Sequence, residues 1–194
     1  MGFFDLYHFC GCAIISDRWV VTAAYCLRNN PIEELRIRVG SNEANTGGQV
    51  FNVEKAIPHP SYEKKRNDIG LIRVQGNITF NDKVKTIQLE TNEVPSGTEL
   101  LVTGWGTTET GDPDDLQQLR VKAISDAECK NAWNVTDEIL CTFTKRGEGM
   151  CRADSGGPLV RGDKLIGLVS FDVPEEFLTV LRKCPTSSAG SKQS

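Results

Sequence analysis

Along this chain apolar and polar residues alternate with a period of two more often than with helical spacing. Leu35-Arg-Ile-Arg-Val39 and Leu119-Arg-Val-Lys-Ala123 place aliphatic side chains on one face and cations on the other. Strands with one buried and one wet face have that pattern. Val50-Phe-Asn-Val53 carries it more weakly. Ile69-Gly-Leu-Ile-Arg-Val74 and Leu165-Ile-Gly-Leu-Val169 are nearly continuous apolar runs and predict strands buried on both faces. Turn-forming clusters fall between them, at Arg28 to Pro31, Ser41 to Gly48, Val94 to Gly97 and Gly111 to Asp115. Short strands punctuated in this way predict an all-β barrel or sandwich. One helix is predicted, where Ser125 and Glu128 form a capping box ahead of Cys129 to Trp133. No internal repeat and no linker stand out. The segment Glu175-Glu-Phe-Leu-Thr-Val-Leu181 has no assigned place, and the small polar run Pro185 to Ser194 is predicted to be disordered.

Composition narrows the function classes. The 194 residues hold 22 Lys+Arg and 26 Asp+Glu, a net charge of −4, with 39% hydrophobic residues. That is ordinary globular composition. The longest basic run is Lys64-Lys65-Arg66, which argues against nucleic acid as a partner. No apolar run approaches the ~18 residues of a membrane span. The seven cysteines include no C-x-x-C pair and are mostly far apart, so disulfides and an oxidising, extracellular compartment are expected rather than a zinc site. An odd count leaves one thiol over. Asn77-Ile-Thr79 and Asn134-Val-Thr136 have the spacing of glycosylation acceptors. The first seven residues do not read as a signal peptide, since they lack a basic start and carry Asp5. With only Glu43 in the Ser41 to Gly48 loop, no calcium site, other metal or cofactor is expected.

The candidate chemistry centres on Cys151-Arg-Ala-Asp-Ser155-Gly-Gly-Pro-Leu159. A serine followed by two glycines on a tight turn exposes its hydroxyl and lets backbone N–H groups converge on an oxyanion. Three further segments give this motif its context. Cys10-Gly-Cys-Ala-Ile-Ile-Ser-Asp-Arg-Trp-Val-Val-Thr-Ala-Ala-Tyr25-Cys26 resembles the first cysteine loop of chymotrypsin-like serine proteases. Asn67-Asp68-Ile-Gly-Leu-Ile72 resembles their buried-aspartate strand, and Gly104-Trp105-Gly106 their interbarrel turn. The resemblance runs from about Tyr7 to Phe171. It implies two six-stranded-type antiparallel barrels, incomplete at both ends, with the site in the crevice between them. Residues 1–173 would form that domain and 174–194 a divergent tail.

The resemblance also implies roles. Ser155 is the nucleophile, Asp68 the orienting carboxylate, and the backbone N–H groups of Ala153 and Ser155 the oxyanion hole. Gly149, Ser170, Phe171 and Asp172 line the specificity pocket. Bridges are implied at Cys10–Cys26 and Cys129–Cys141. Cys151 loses its usual partner, for which Cys184 could substitute, and Cys12 is the spare thiol.

Several residues depart from the family pattern. Tyr25 stands where the family has the histidine that takes the serine proton. A phenol with pKa near ~10 offers no base at neutral pH. Of the two histidines, His8 matches a structural position, and His59 in Pro58-His-Pro60 is expected to be solvated. Ala153 replaces a glycine, which is costly if the backbone needs positive φ there. Asp172 replaces another glycine on the pocket wall. Gly149 puts no acid at the pocket base, so any remaining preference is for large apolar side chains. Without an activating N-terminal amine, Asp154 is left to burial or to a zymogen-like exposure.

Two functional readings follow. One is a secreted protease homologue without catalysis, acting by binding or regulating a protein or peptide. The other is an active endopeptidase that forms an acyl-enzyme on Ser155. A truncated product without a stable fold is a third reading.

Overall fold

The computed structural model describes residues 7–28, 30–63, 66–133, 135–145, 149–172 and 178–183. Twelve strands dominate: β1 Ala13–Ile14, β2 Trp19–Thr22, β3 Arg36–Val39, β4 Gln49–Pro58, β5 Gly70–Val74, β6 Gln88–Leu89, β7 Glu99–Gly104, β8 Gln117–Ala123, β9 Ile139–Phe143, β10 Pro158–Arg161, β11 Lys164–Asp172 and β12 Leu178–Lys183. A single α-helix, α1, spans Asp126–Ala132. Its start is the expected capping box: the Ser125 hydroxyl accepts from the Glu128 N–H, and the Glu128 carboxylate accepts from the Ser125 N–H.

The strands form two sheets. The first runs β1-β2-β5-β4-β3, and the second β10-β7-β8-β9-β12-β11-β6. An added pairing of β10 with β11 closes six strands of the second sheet into a barrel. The first has five strands among the described residues, with β1 and β3 as its outer strands there. The unassigned segment near the C-terminus overlaps β12, which threads between β9 and β11. Its extended pairing satisfies backbone groups that both neighbours would otherwise leave open. Pro185 to Ser194 lies outside the described residues.

Each barrel has its own apolar interior. Val20, Ile37, Val39, Ile72 and Val74 fill the first, and Leu100, Val102, Val121, Leu140 and Leu159 the second. Between the barrels, Ala13 and Val21 meet Leu165 and Leu168. Strand β2 therefore buries both faces, with Val20 turned to its own core and Val21 to the neighbouring barrel. Strand β5 does the same with Ile72 and Leu71. Such two-sided burial explains the continuous apolar runs read in the sequence. The contact between barrels brings the residues after β2, before β5 and before β10 to one crevice.

Bridges join Cys10 to Cys26 and Cys129 to Cys141. Cys12 is a free thiol, and burial pushes its pKa up to about 11. Among the described residues Cys151 is also a free thiol, and it is exposed. Cys184 and Asn134 lie outside the described residues, whereas Asn77 is exposed. No helix among the described residues is long and apolar enough to cross a membrane.

Candidate functional site

Asp68 is the most deeply held charged group of the crevice, with 3% of its surface exposed. It follows Asn67, whose φ of 51° is a left-handed conformation that asparagine tolerates better than most residues. The Asn67 side chain donates to the Ser61 carbonyl and fixes that turn. Both Asp68 oxygens are engaged. Oδ1 accepts from the backbone N–H of Tyr25 at 2.8 Å, and Oδ2 accepts from the Ser170 hydroxyl at 2.5 Å.

Ser170, expected on the pocket wall, thus faces the carboxylate. The register of β11 against β12 shifts between Val169 and Phe171, so Ser170 is the extra residue of a bulge. A bulge re-aims one side chain out of the alternating order. Phe171 and Asp172 continue β11 opposite Val180 and Thr179. Gly149 is exposed and precedes the buried Met150.

Tyr25 sits in a 3₁₀ turn spanning Ala24–Cys26, which the Cys10–Cys26 bridge pins to the start of the described chain. The flanking Ala24 and Cys26 are buried, while the Tyr25 side chain is 60% exposed. Its backbone, not its phenol, meets Asp68.

Ser155 is placed by backbone contacts across the interface between barrels. Its carbonyl accepts from the Gly11 N–H at 2.8 Å, and the Gly11 carbonyl accepts from the Thr22 hydroxyl at 2.7 Å. A Cβ on Gly11 would lie 2.5 Å from Gly157 Cα, and one on Gly156 would lie 2.2 Å from Thr22 Oγ1. Only glycine permits that approach. Gly11 and Thr22 are therefore positioning residues that sequence reasoning missed. The signal for Thr22 was a hydroxyl at the end of an apolar run. Nothing in the local sequence marked Gly11.

Among the described residues, neither the Ala153 nor the Ser155 N–H donates to a protein acceptor. Ala153 has φ = 75°, in the left-handed region, so the conformation that strains a Cβ is adopted. Its carbonyl accepts from Nε2 of His8 at 3.1 Å. That imidazole packs edge-on to Trp105 with 5.3 Å between ring centroids. Burial lowers the His8 pKa, and the Ala153 carbonyl and the Asp154 charge oppose that fall. His59 is half-buried rather than fully solvated, and its Nδ1 accepts from the Ser61 N–H.

Asp154 lies against the Gly104-Trp105-Gly106 turn. Its carboxylate accepts from the Gly106 N–H at 2.9 Å and the Cys151 N–H at 3.0 Å. Burial raises its pKa, and these two N–H groups oppose the rise. Asp154 is half-buried and capped by backbone donors. Two options stood open from the sequence, burial at a cost or full exposure, and the observed state lies between them.

Chemically, the crevice holds a fixed carboxylate, a serine on a rigid turn and two uncommitted N–H donors. No group of His, Cys, Asp and Glu among the described residues is arranged to hold a metal ion.

A family model described as Trypsin matches residues 2–177. Among curated relatives, Chymotrypsin-2 of Vespa crabro is 40% identical over 173 residues, covering 86% of this chain and 79% of that protein. Hypodermin-A of Hypoderma lineatum is 38% identical, over 86% of this chain and 68% of its own length. Trypsin 5G1 of Aedes aegypti is 36% identical, over 84% and 65%.

Proposed function

Because the chain belongs to the trypsin family of chymotrypsin-like serine proteases, we propose that it is a non-hydrolytic member that binds a protein or peptide segment in the crevice. One observation carries the reading. The Asp68 carboxylate accepts from the Tyr25 N–H and the Ser170 hydroxyl and from no imidazole, and both histidines are engaged elsewhere, His8 on Ala153 and His59 on Ser61. No imidazole then serves Ser155, and the exposed phenol of Tyr25 cannot cycle a proton at neutral pH. Loss of a triad serine or histidine costs roughly 10⁶ in turnover. That is about 8 kcal/mol of barrier.

Binding survives that loss. A substrate-like carbonyl can accept from the free N–H groups of Ala153 and Ser155 without bond cleavage. The two bridges favour an oxidising, extracellular setting. A second reading, an active endopeptidase with a taste for large apolar residues, draws on the intact Asp68–Ser170 pair and the same free donors.

Treatment with a fluorophosphonate and assay on chromogenic peptides bearing Phe or Leu separate the two readings. The proposal expects neither stoichiometric labelling of Ser155 nor turnover. Both together overturn it. Tyr25→His is the companion variant, and its turnover is expected to stay low because Ala153 and Asp172 also depart from the family pattern.

A further inference from the structure

At the end of the first barrel away from the crevice lies the triplet Asn77-Ile78-Thr79. It follows β5, whose first residue, Gly70, comes just after Asp68 and Ile69. A strand advances ~3.3 Å per residue, so β5 carries the chain about 15–20 Å from that carboxylate. The Ile78 N–H donates to the Asp17 carbonyl at 2.6 Å, in the turn that enters β2, whereas Tyr25 lies past the end of β2. The triplet and the crevice therefore occupy opposite ends of the same strands.

Exposure alternates through the triplet. Ile78 is 3% exposed and belongs to the first core, while Asn77 and Thr79 on either side of it are exposed. With the middle residue turned inward, the Asn77 carboxamide and the Thr79 hydroxyl turn to solvent together. Gln49 holds this arrangement: its Nε2 donates to the Thr79 carbonyl at 2.8 Å, and its Oε1 accepts from the Thr79 N–H at 3.0 Å. Those bonds use only the backbone of Thr79. Neither the Asn77 carboxamide nor the Thr79 hydroxyl has a hydrogen-bond partner among the described residues. Space is open beside them, because a Cβ at Gly76 would meet nothing within 4 Å. Adjoining the Gln49–Thr79 pair in sequence, Val50 and Phe80 are large apolar side chains left 44% and 46% exposed. The other triplet of this spacing, Asn134-Val-Thr136, has its threonine hydroxyl buried.

We propose that Asn77 is an N-glycosylation site, which carries an oligosaccharide on the end of the first barrel remote from the crevice. The inference rests on the extracellular setting that the two bridges favour, and not on whether the crevice is catalytic. The donor is an oligosaccharide linked to a lipid diphosphate, which the secretory compartment supplies together with the transferase. Nδ2 of Asn77 bonds to the anomeric carbon, and the bond from that carbon to the diphosphate oxygen breaks. The carboxamide gives up one proton, and the lipid diphosphate leaves with the electron pair, so the transfer needs neither oxidant nor reductant. A bulky, hydrated sugar belongs on the surface. At Asn77 it stands near Val50 and Phe80 and leaves the crevice open.

The test expresses the full chain behind a cleavable secretory leader in a eukaryotic cell line, in an Asn134→Gln background. Chains from the secretory compartment and from the medium are treated with peptide-N-glycosidase in water enriched in heavy oxygen. Mass spectrometry then reads the tryptic peptide Val74 to Lys83. Asn77 should be recovered as labelled aspartate, and the untreated chain should run on a gel slower by one oligosaccharide. Asn77→Gln and Thr79→Ala are expected to abolish both label and shift, while Thr79→Ser keeps both. Non-reducing peptide maps of the same chains report the Cys10–Cys26 and Cys129–Cys141 bridges. Formed bridges with no label at Asn77 overturn the modification and leave the extracellular setting standing. Missing bridges together with missing label overturn both. Label that persists in Thr79→Ala marks spontaneous deamidation and overturns the proposal as well.

Discussion

Gly106→Ala tests how the Gly104-Trp105-Gly106 turn and the serine loop are locked together. A Cβ at Gly106 would lie 2.1 Å from Asp154 Oδ2 and 2.3 Å from its Cγ. No such contact survives, so the carboxylate has to leave, and it forfeits the N–H groups of Gly106 and Cys151. Hydrogen bonds to a charged group contribute about 1.5–3 kcal/mol each, which gives an upper limit of roughly 3–6 kcal/mol. Asp154 is only half-buried and regains water on leaving, so the figure is discounted to about 2–3 kcal/mol. For a chain of this length that is a fall in Tm of roughly 5–10 °C. Urea unfolding followed by far-UV circular dichroism measures it. The decisive comparison is with Asp154→Gly, which makes room for the new methyl group. In that background Gly106→Ala should cost no more than about 0.5 kcal/mol, which leaves a coupling energy above about 1.5 kcal/mol. If the two substitutions add to within about 0.5 kcal/mol, the contact does not hold the loop and the reasoning fails.

Two other outcomes are expected. Ala153→Gly relieves a left-handed alanine, worth about 1–2 kcal/mol, against about 0.4–1 kcal/mol of added freedom in the unfolded chain. A net gain of up to about 1.6 kcal/mol should appear as a higher urea midpoint, and a clear loss would show that the strain is absent. Acid unfolding should depend on Glu90, whose pKa the Asn92 backbone N–H, then Arg161, draw down to about 2. A carboxyl depressed on folding stabilises above its unfolded pKa of ~4.3, and that contribution is lost as pH falls toward 2. Asp154 has the opposite sign, because its raised pKa makes the folded state hold a proton more readily. Urea midpoints measured from pH 6 to pH 3 should therefore fall less steeply for Glu90→Gln than for the parent, and more steeply for Asp154→Asn. Parallel curves for all three proteins would refute both assignments.

Much of this molecule was decided by local sequence. The period-two alternation at Leu35 to Val39 and Leu119 to Ala123 became β3 and β8, because burying one face of a pleated chain needs only that order of side chains. The capping box wrote the start of α1 in four residues, since all its donors and acceptors lie within one turn. Cysteine positions and the Asp-Ser-Gly-Gly turn made the family and the candidate residues legible. The tertiary structure alone decided what those residues face. Ser170 meets Asp68 across 102 positions of sequence, and Gly11 reaches Ser155 from the opposite barrel. Closure of the second barrel also depends on pairings between distant strands. A strand's own residues set which face is apolar, but the neighbour on each edge is chosen by the rest of the chain, through backbone groups that every residue carries alike.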